Sequence, residues 1–194
     1  MSQTHNTFFQ FYESDTYYGR ALNSIDDLKT YLEDKLWIGV IGGIGSGKTY
    51  FINNVLNKVV GKLPVYDVDD LTTKMGGGKY KRELAGKAAV QFKKELPIAF
   101  VKSKSFIYTG TGSNYNGLVA KLQLAKTNGF TTVLIHIDTP ENVAIQQASQ
   151  RAATTERNPI EDYKVIRTIK DSKETFEKIK KDRELVDFYF SVKH

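Results

Sequence analysis

The chain has 194 residues, 40% hydrophobic and 26% charged, which suits one domain with a real core. It contains no cysteine, excluding disulfides and cysteine-based metal or nucleophile chemistry, and no run approaches the ~20 apolar residues of a membrane span. The start, MSQTHNTFFQFYESD, has neither the basic nor the apolar region of a secretory signal, so a cytoplasmic protein without a membrane partner is expected. Lys and Arg outnumber Asp and Glu by 28 to 22, a net charge of +6 that suits an acidic substrate or nucleic acid without selecting either.

Residues 1–34 read as an N-terminal arm and short helix packed on a domain spanning 35–194. The first 23 residues are rich in aromatic side chains without a clean period. Ser24 followed by Asp27 has the spacing of a capping box and predicts a helix over 25–34. LWIGVI at 36–41 is an apolar run too short for most helices and is stopped by Gly42 and Gly43, so it reads as a strand. Apolar residues at helical spacing follow over 48–60, ending at Gly61. A short strand is expected at 64–68, a break at Gly76–Gly78, a helix at 80–95 and a strand at 105–109. A helix at 115–127 ends near Asn128 and Gly129, and a strand follows at 132–137. Helices at about 141–153 and 160–182 and a closing strand at 186–192 complete the chain. Alternation of apolar strands with helices predicts an α/β three-layer sandwich around a mostly parallel, five-stranded sheet. Ligands of such sheets bind beyond the carboxyl ends of the strands.

The motif that carries chemistry is GGIGSGKT. Gly42, Gly47, Lys48 and Thr49 satisfy G-x-x-x-x-G-K-[S/T], with Gly43, Ile44, Gly45 and Ser46 between them. Glycines let successive N–H groups turn toward one anion, and the helix beginning near Lys48 adds its positive end. Lys48 is expected on the β- and γ-phosphates of a nucleoside triphosphate, and the Thr49 hydroxyl on Mg²⁺. The expected fold is therefore that of a P-loop NTPase.

The acidic residues bear on the reaction. There is no N-K-x-D motif of a GTP-specific switch. VLIHID at 133–138 ends in Asp138, as a motor's metal- or water-binding acid would, which keeps open a nucleic-acid-stimulated NTPase. A nucleotide-binding module without turnover is a further alternative. YDVDD at 66–70 places Asp67, Asp69 and Asp70 at the carboxyl end of the second strand, where a phosphotransferase needs a carboxylate for its acceptor hydroxyl. Asp69 is the choice for that base, Asp67 shares its strand parity and is a candidate metal ligand, and Asp70 could cap the next segment.

From about residue 36 to 180 the sequence resembles the zeta-toxin family of P-loop kinases, itself similar to polynucleotide 5′-kinases. The resemblance lies in GGIGSGKT, YDVDDLT, TGTGSNYNGLVAKLQLAKTNGFTTVLIHI and QRAATTERNPIEDYKVI, the third being the most diagnostic because it holds a G-T-G turn after a central strand. It implies that Lys48 and Thr49 hold phosphate and Mg²⁺, that Asp69 is the base, and that Arg151 and Arg157 are lid arginines clamping the transferred group. Guanidinium groups suit that task because they meet phosphate oxygens in a bidentate fork. It also implies ATP, with GTP not excluded, and an acceptor hydroxyl on a nucleotide sugar or a nucleic acid. The chain departs from the family at Thr109, where a glutamate usually precedes G-T-G, and at Ser113, where an arginine often follows it. These are positions that contact the nucleotide-sugar substrate in the toxins.

Overall fold

The computed structural model describes residues 10–11, 20–154 and 159–193. Five parallel strands match the sequence expectation in number and order: β3 (Leu36–Ile41), β4 (Val65–Tyr66), β5 (Phe106–Gly110), β6 (Thr131–Asp138) and β7 (Phe188–Lys193). Two further two-residue strands, β1 (Gln10–Phe11) and β2 (Arg20–Ala21), pair with β7, antiparallel and parallel respectively, and enlarge the expected five-stranded sheet. The order across the sheet is β1-β7-β6-β3-β5-β4. β3 therefore lies in the middle, with Ile41 level with Gly110 on one neighbour and His136 on the other. Successive elements leave β3 toward one edge and β6 toward the other, which opens a crevice beyond the strand ends there.

Side chains alternate across β3 as a doubly covered strand requires. Ile38 and Val40 face a core with Leu28 of the 3₁₀ helix Ile25–Tyr31, and with Phe51, Ile52 and Leu56. The helix after the phosphate loop supplies the last three. It runs as α1 (Lys48–Phe51), a π turn (Ile52–Leu56) and α2 (Asn57–Val60). Ser24 caps the 3₁₀ helix in the expected capping box with Asp27.

Trp37 and Ile41 face the other layer, packed with α4 (Ala85–Lys102), α5 (Tyr115–Thr127) and α7 (Asp162–Ile179). In that layer Phe100, Phe106 and Phe130 meet edge to face at 5.0–5.5 Å. The remaining helices are α3 (Val68–Met75) and α6 (Glu141–Thr154).

Two boundaries differ from expectation for reasons that can be named. α4 continues seven residues past the expected end at 95 and contains Pro97. Burial of Ala99 and Phe100 against the aromatic cluster outweighs the ~3 kcal/mol that an interior proline costs. The second strand stops at Tyr66 because Asp67 caps a helix, which relocates the acidic residues.

Candidate active site

The loop from Gly42 to Thr49 joins β3 to α1. Gly45 and Gly47 have φ of 75° and 83°, a region that favours glycine. The loop is also gripped from outside. A Cβ on Gly45 would lie 2.2 Å from the carbonyl oxygen of Ala144 in α6, and one on Gly43 would lie 2.5 Å from Ile169 Cγ1 in α7. This explains the two glycines that the bare motif does not demand. Two threonines fasten the loop: the Ile44 N–H donates to Thr168 Oγ1 at 2.9 Å, and Thr139 Oγ1 donates to the Ser46 carbonyl at 3.0 Å.

Gly47 is the N-cap of α1 and brings no side chain. The first-turn amides that follow, which no helix can satisfy internally, stay available to an anion. Lys48 Nζ arches over the loop, donating to the carbonyls of Gly42 and Gly43 at 2.8 and 2.9 Å and to Ser46 Oγ at 3.3 Å. Burial lowers its pKa to about 8, with Asp67 and Asp69 pulling it up and Arg151 pulling it down. Asp67, Asp69 and Arg151 are thus the charges gathered around the loop lysine. The first two come from the α3 end and the last from the end of α6. Thr49 is exposed at the start of α1.

Asp67 and Asp69 do not share a strand face. Asp67 is the N-cap of α3, and its Oδ1 accepts the Asp69 N–H at 2.6 Å. Asp69 and Asp70 occupy the first turn, where carboxylates are favoured by the helix dipole. The capping role expected of Asp70 therefore belongs to Asp67. Asp67 is half-buried, and burial raises its pKa against the opposing hydrogen bond from the Asp69 amide. Asp69 instead turns outward to Arg151, with Oδ2 3.4 Å from Nη2 across 82 residues of sequence. Arg157 lies outside the described residues.

Asp138 is held elsewhere. It lies 3.6 Å from Lys173 Nζ and lines a cavity of about 370 Å³ with Thr139, Glu141, Ile169, Lys170 and Lys193. It is not among the charges that act on Lys48.

The G-T-G turn follows β5. Gly112 has φ 71°, and a Cβ there would meet Ile41 at 2.9 Å, so the turn closes directly onto the strand that feeds the loop. Ser113, at the position of the family's arginine, shares a 2.8 Å hydrogen bond with the Thr111 hydroxyl. Thr109 is buried. Sequence reasoning missed three contributors: Thr168 and Thr139, which tie the loop down, and Tyr108, on whose hydroxyl the charge of Asp67 acts. Each is an ordinary residue in an ordinary element, and only the strand parity of Tyr108 hinted at its placement.

Among the described residues no group of three or more His, Asp or Glu could hold a metal unaided. A hydroxyl and a carboxylate are hard oxygen donors, which fit Mg²⁺ arriving with nucleotide phosphates and its own waters.

No protein-family model matches the chain, and no curated protein matches it in sequence. Solved structures do. The complex AvrRxo1-ORF1:AvrRxo1-ORF2 with sulphate ions aligns with TM-score 0.62 and 17% identity over 86% of this chain. Shikimate kinase from Acinetobacter baumannii, solved with shikimate, aligns with TM-score 0.51 and 17% identity over 83% of this chain and 86% of its own. The fold is that of the P-loop kinases. A chain from the PezAT chromosomal toxin–antitoxin system of Streptococcus pneumoniae also aligns, with TM-score 0.54 and 15% identity over 82% of this chain and 67% of that one. The present chain spans 59% of the AvrRxo1 chain that it matches. Among the described residues no helix is long and apolar enough to cross a membrane.

Proposed function

We propose that the protein is an ATP-dependent phosphotransferase that moves the γ-phosphoryl group to a hydroxyl of a nucleic-acid or nucleotide-sugar acceptor, as its resemblance to zeta toxins and polynucleotide kinases suggests. The observation that carries the reading is the approach of Asp69 to Arg151 at 3.4 Å, beside a loop lysine on which both charges act. A carboxylate able to take a proton and a guanidinium able to neutralise a phosphoryl group thus converge from opposite sides of one crevice.

In this reading the acceptor oxygen bonds to the γ-phosphorus, its proton passes to Asp69, and the bond to the β–γ bridging oxygen breaks to release ADP. Lys48 and the first-turn amides of α1 hold the phosphates, while Arg151 and Arg157 gather around the developing charge. Such chemistry depends mainly on positioning and charge neutralisation. Thr49, with Asp67 near the loop lysine, would hold Mg²⁺, which supplies further neutralisation when bound. Asp67, with one oxygen committed to capping α3, is better placed to hold than to accept a proton. Support for ATP over GTP comes from the resemblance and from the AvrRxo1-ORF1:-ORF2 structure solved with ATP, TM-score 0.58.

The test is incubation with γ-labelled ATP and a panel of nucleotide sugars, nucleosides, and DNA or RNA with free hydroxyl ends. Label should appear on one acceptor class. Label recovered only as free phosphate would contradict transfer and favour an NTPase.

A further inference from the structure

We propose that the outer face of α4 is a docking surface for a helix of another protein, one whose apolar seam carries glutamate or aspartate. Ala88, Phe92, Leu96, Ala99 and Phe100 recur every three to four residues and are buried against the sheet. Lys87, Val90, Lys94, Pro97 and Val101 recur at alternating spacings of three and four on the opposite face, and all are exposed. Nine large hydrophobic side chains are exposed among the described residues, and three of them, Val90, Ile98 and Val101, lie on α4. Val101, at 75%, is the most exposed of the nine. Valine and proline are poorer helix formers than the residues usual at exposed helix positions, so this face does not serve the helix's own stability. A single exposed apolar residue needs no explanation, but several in register form the seam that a partner helix fits.

Charge narrows the partner's chemistry. α4 carries Lys87, Lys93, Lys94 and Lys102 against one acid, Glu95, which lies off the stripe and accepts a hydrogen bond from Gln91. An acid-free face is not general to this basic chain. α7, of the same length, alternates cations with acids and pairs Arg167 with Asp171 and Lys178 with Glu174. A lysine inside an apolar seam selects the residue opposite, because it loses water there unless an acid meets it. A second copy of this chain fails that test, since pairing centred on the stripe, parallel or antiparallel, sets Lys94 against Lys94. A membrane surface is met poorly, because the stripe offers aliphatic side chains without tryptophan or phenylalanine. The surface is also separate from the crevice. Phe92 packs beside Tyr108 and Phe100 beside Phe106, so α4 runs back along β5 and Val101 lies at the edge of the sheet away from the phosphate loop. A partner docked there leaves the crevice open and acts by placing the protein. From Lys87 to Val101 the stripe is about 21 Å long, or about four turns. That is small for a specific interface and suits a transient complex.

The probe is a fluorescent synthetic helix of about four turns, with leucines along its seam and two seam glutamates spaced to meet Lys87 and Lys94. Its binding to the full chain is read by fluorescence anisotropy. Micromolar affinity is expected, with a scrambled peptide of the same composition binding at least about tenfold more weakly. Lys94→Glu should weaken the acidic peptide by more than about tenfold and should instead prefer one of the two peptides in which a single glutamate is replaced by lysine. Val101→Ser should weaken binding severalfold. Both positions are exposed, so thermal melting and nucleotide binding should match the parent in both variants. No binding, equal binding of the scrambled peptide, or affinity unchanged in both variants overturns the proposal. So does binding to phosphatidylserine vesicles, or self-association in sedimentation, that is stronger than peptide binding and lost in the same variants. None of these readouts requires phosphoryl transfer, so the docking surface and the kinase reading stand or fall separately.

Discussion

On the nucleotide side of the crevice, the backbone of Gly43 and Gly45 lies against α7 and α6 so closely that a methyl group has no room. On the opposite side, Asp69 and Arg151 keep 42% and 48% of their side-chain surface exposed and touch only at 3.4 Å. The loop must present amides at fixed positions, and close packing supplies that rigidity before a ligand arrives. The acidic side must admit an acceptor and part from an arginine, which a loosely held surface pair permits because such pairs contribute little to stability.

Substitutions can break this contrast. Within the rigid side the largest effect is expected from Lys48→Met, with turnover falling by about 10²–10³-fold, the scale of removing one charge-stabilising donor. Nucleotide binding should weaken in parallel, while circular dichroism and melting stay near the parent. An unchanged turnover would remove the loop lysine from the chemistry.

The lowered pKa of Lys48 gives a second, smaller effect whose sign can be worked out. Above about pH 8 the free folded protein loses this charge, while the unfolded chain keeps it to about 10.5. Nucleotide affinity should therefore fall as pH rises past 8, by up to about tenfold per unit. Over the same window the unfolded state binds more protons, so the lysine's contribution to stability rises with pH. Calorimetric titrations and melts from pH 7 to 10 check both trends, and Lys48→Met should flatten both.

The smallest effect is that of Thr168→Val, which removes the acceptor of the Ile44 amide. A loss of about 1 kcal/mol is expected, or about 2–4 °C in Tm. Nucleotide affinity should change by no more than about fivefold, the same energy read as binding. A larger loss of affinity would mean that the grip of α7 tunes the loop rather than merely holding it.

Legibility follows the same contrast. The phosphate loop was legible because a glycine–lysine spacing between a strand and a helix admits few other purposes. The helix at Tyr115–Thr127 was legible to the residue because Asn114 caps it by accepting the Gly117 amide and Asn128–Gly129 stops it. YDVDD was read as a strand end, although an aspartate followed two residues later by acidic residues is also a helix-start signature. Apolar Tyr66 and Val68 favoured the wrong choice. The end of α4 was hidden because burial of Phe100 is a tertiary effect that no local rule carries, and the π turn at Ile52–Leu56 leaves no sequence mark. The approach of Asp69 to Arg151 could not be read from spacing, since 82 residues separate them. Only the resemblance placed both in one site.

The most direct test compares Asp69→Asn with Asp138→Asn under conditions in which the parent chain transfers label from γ-labelled ATP to its acceptor. Asp69→Asn should slow transfer by about 10²–10⁴-fold with nucleotide binding retained, because a general base is removed and the loop is untouched. Asp138→Asn should transfer at close to the parent rate, since that carboxylate pairs with Lys173. Transfer that survives in Asp69→Asn and is lost in Asp138→Asn would contradict the assignment.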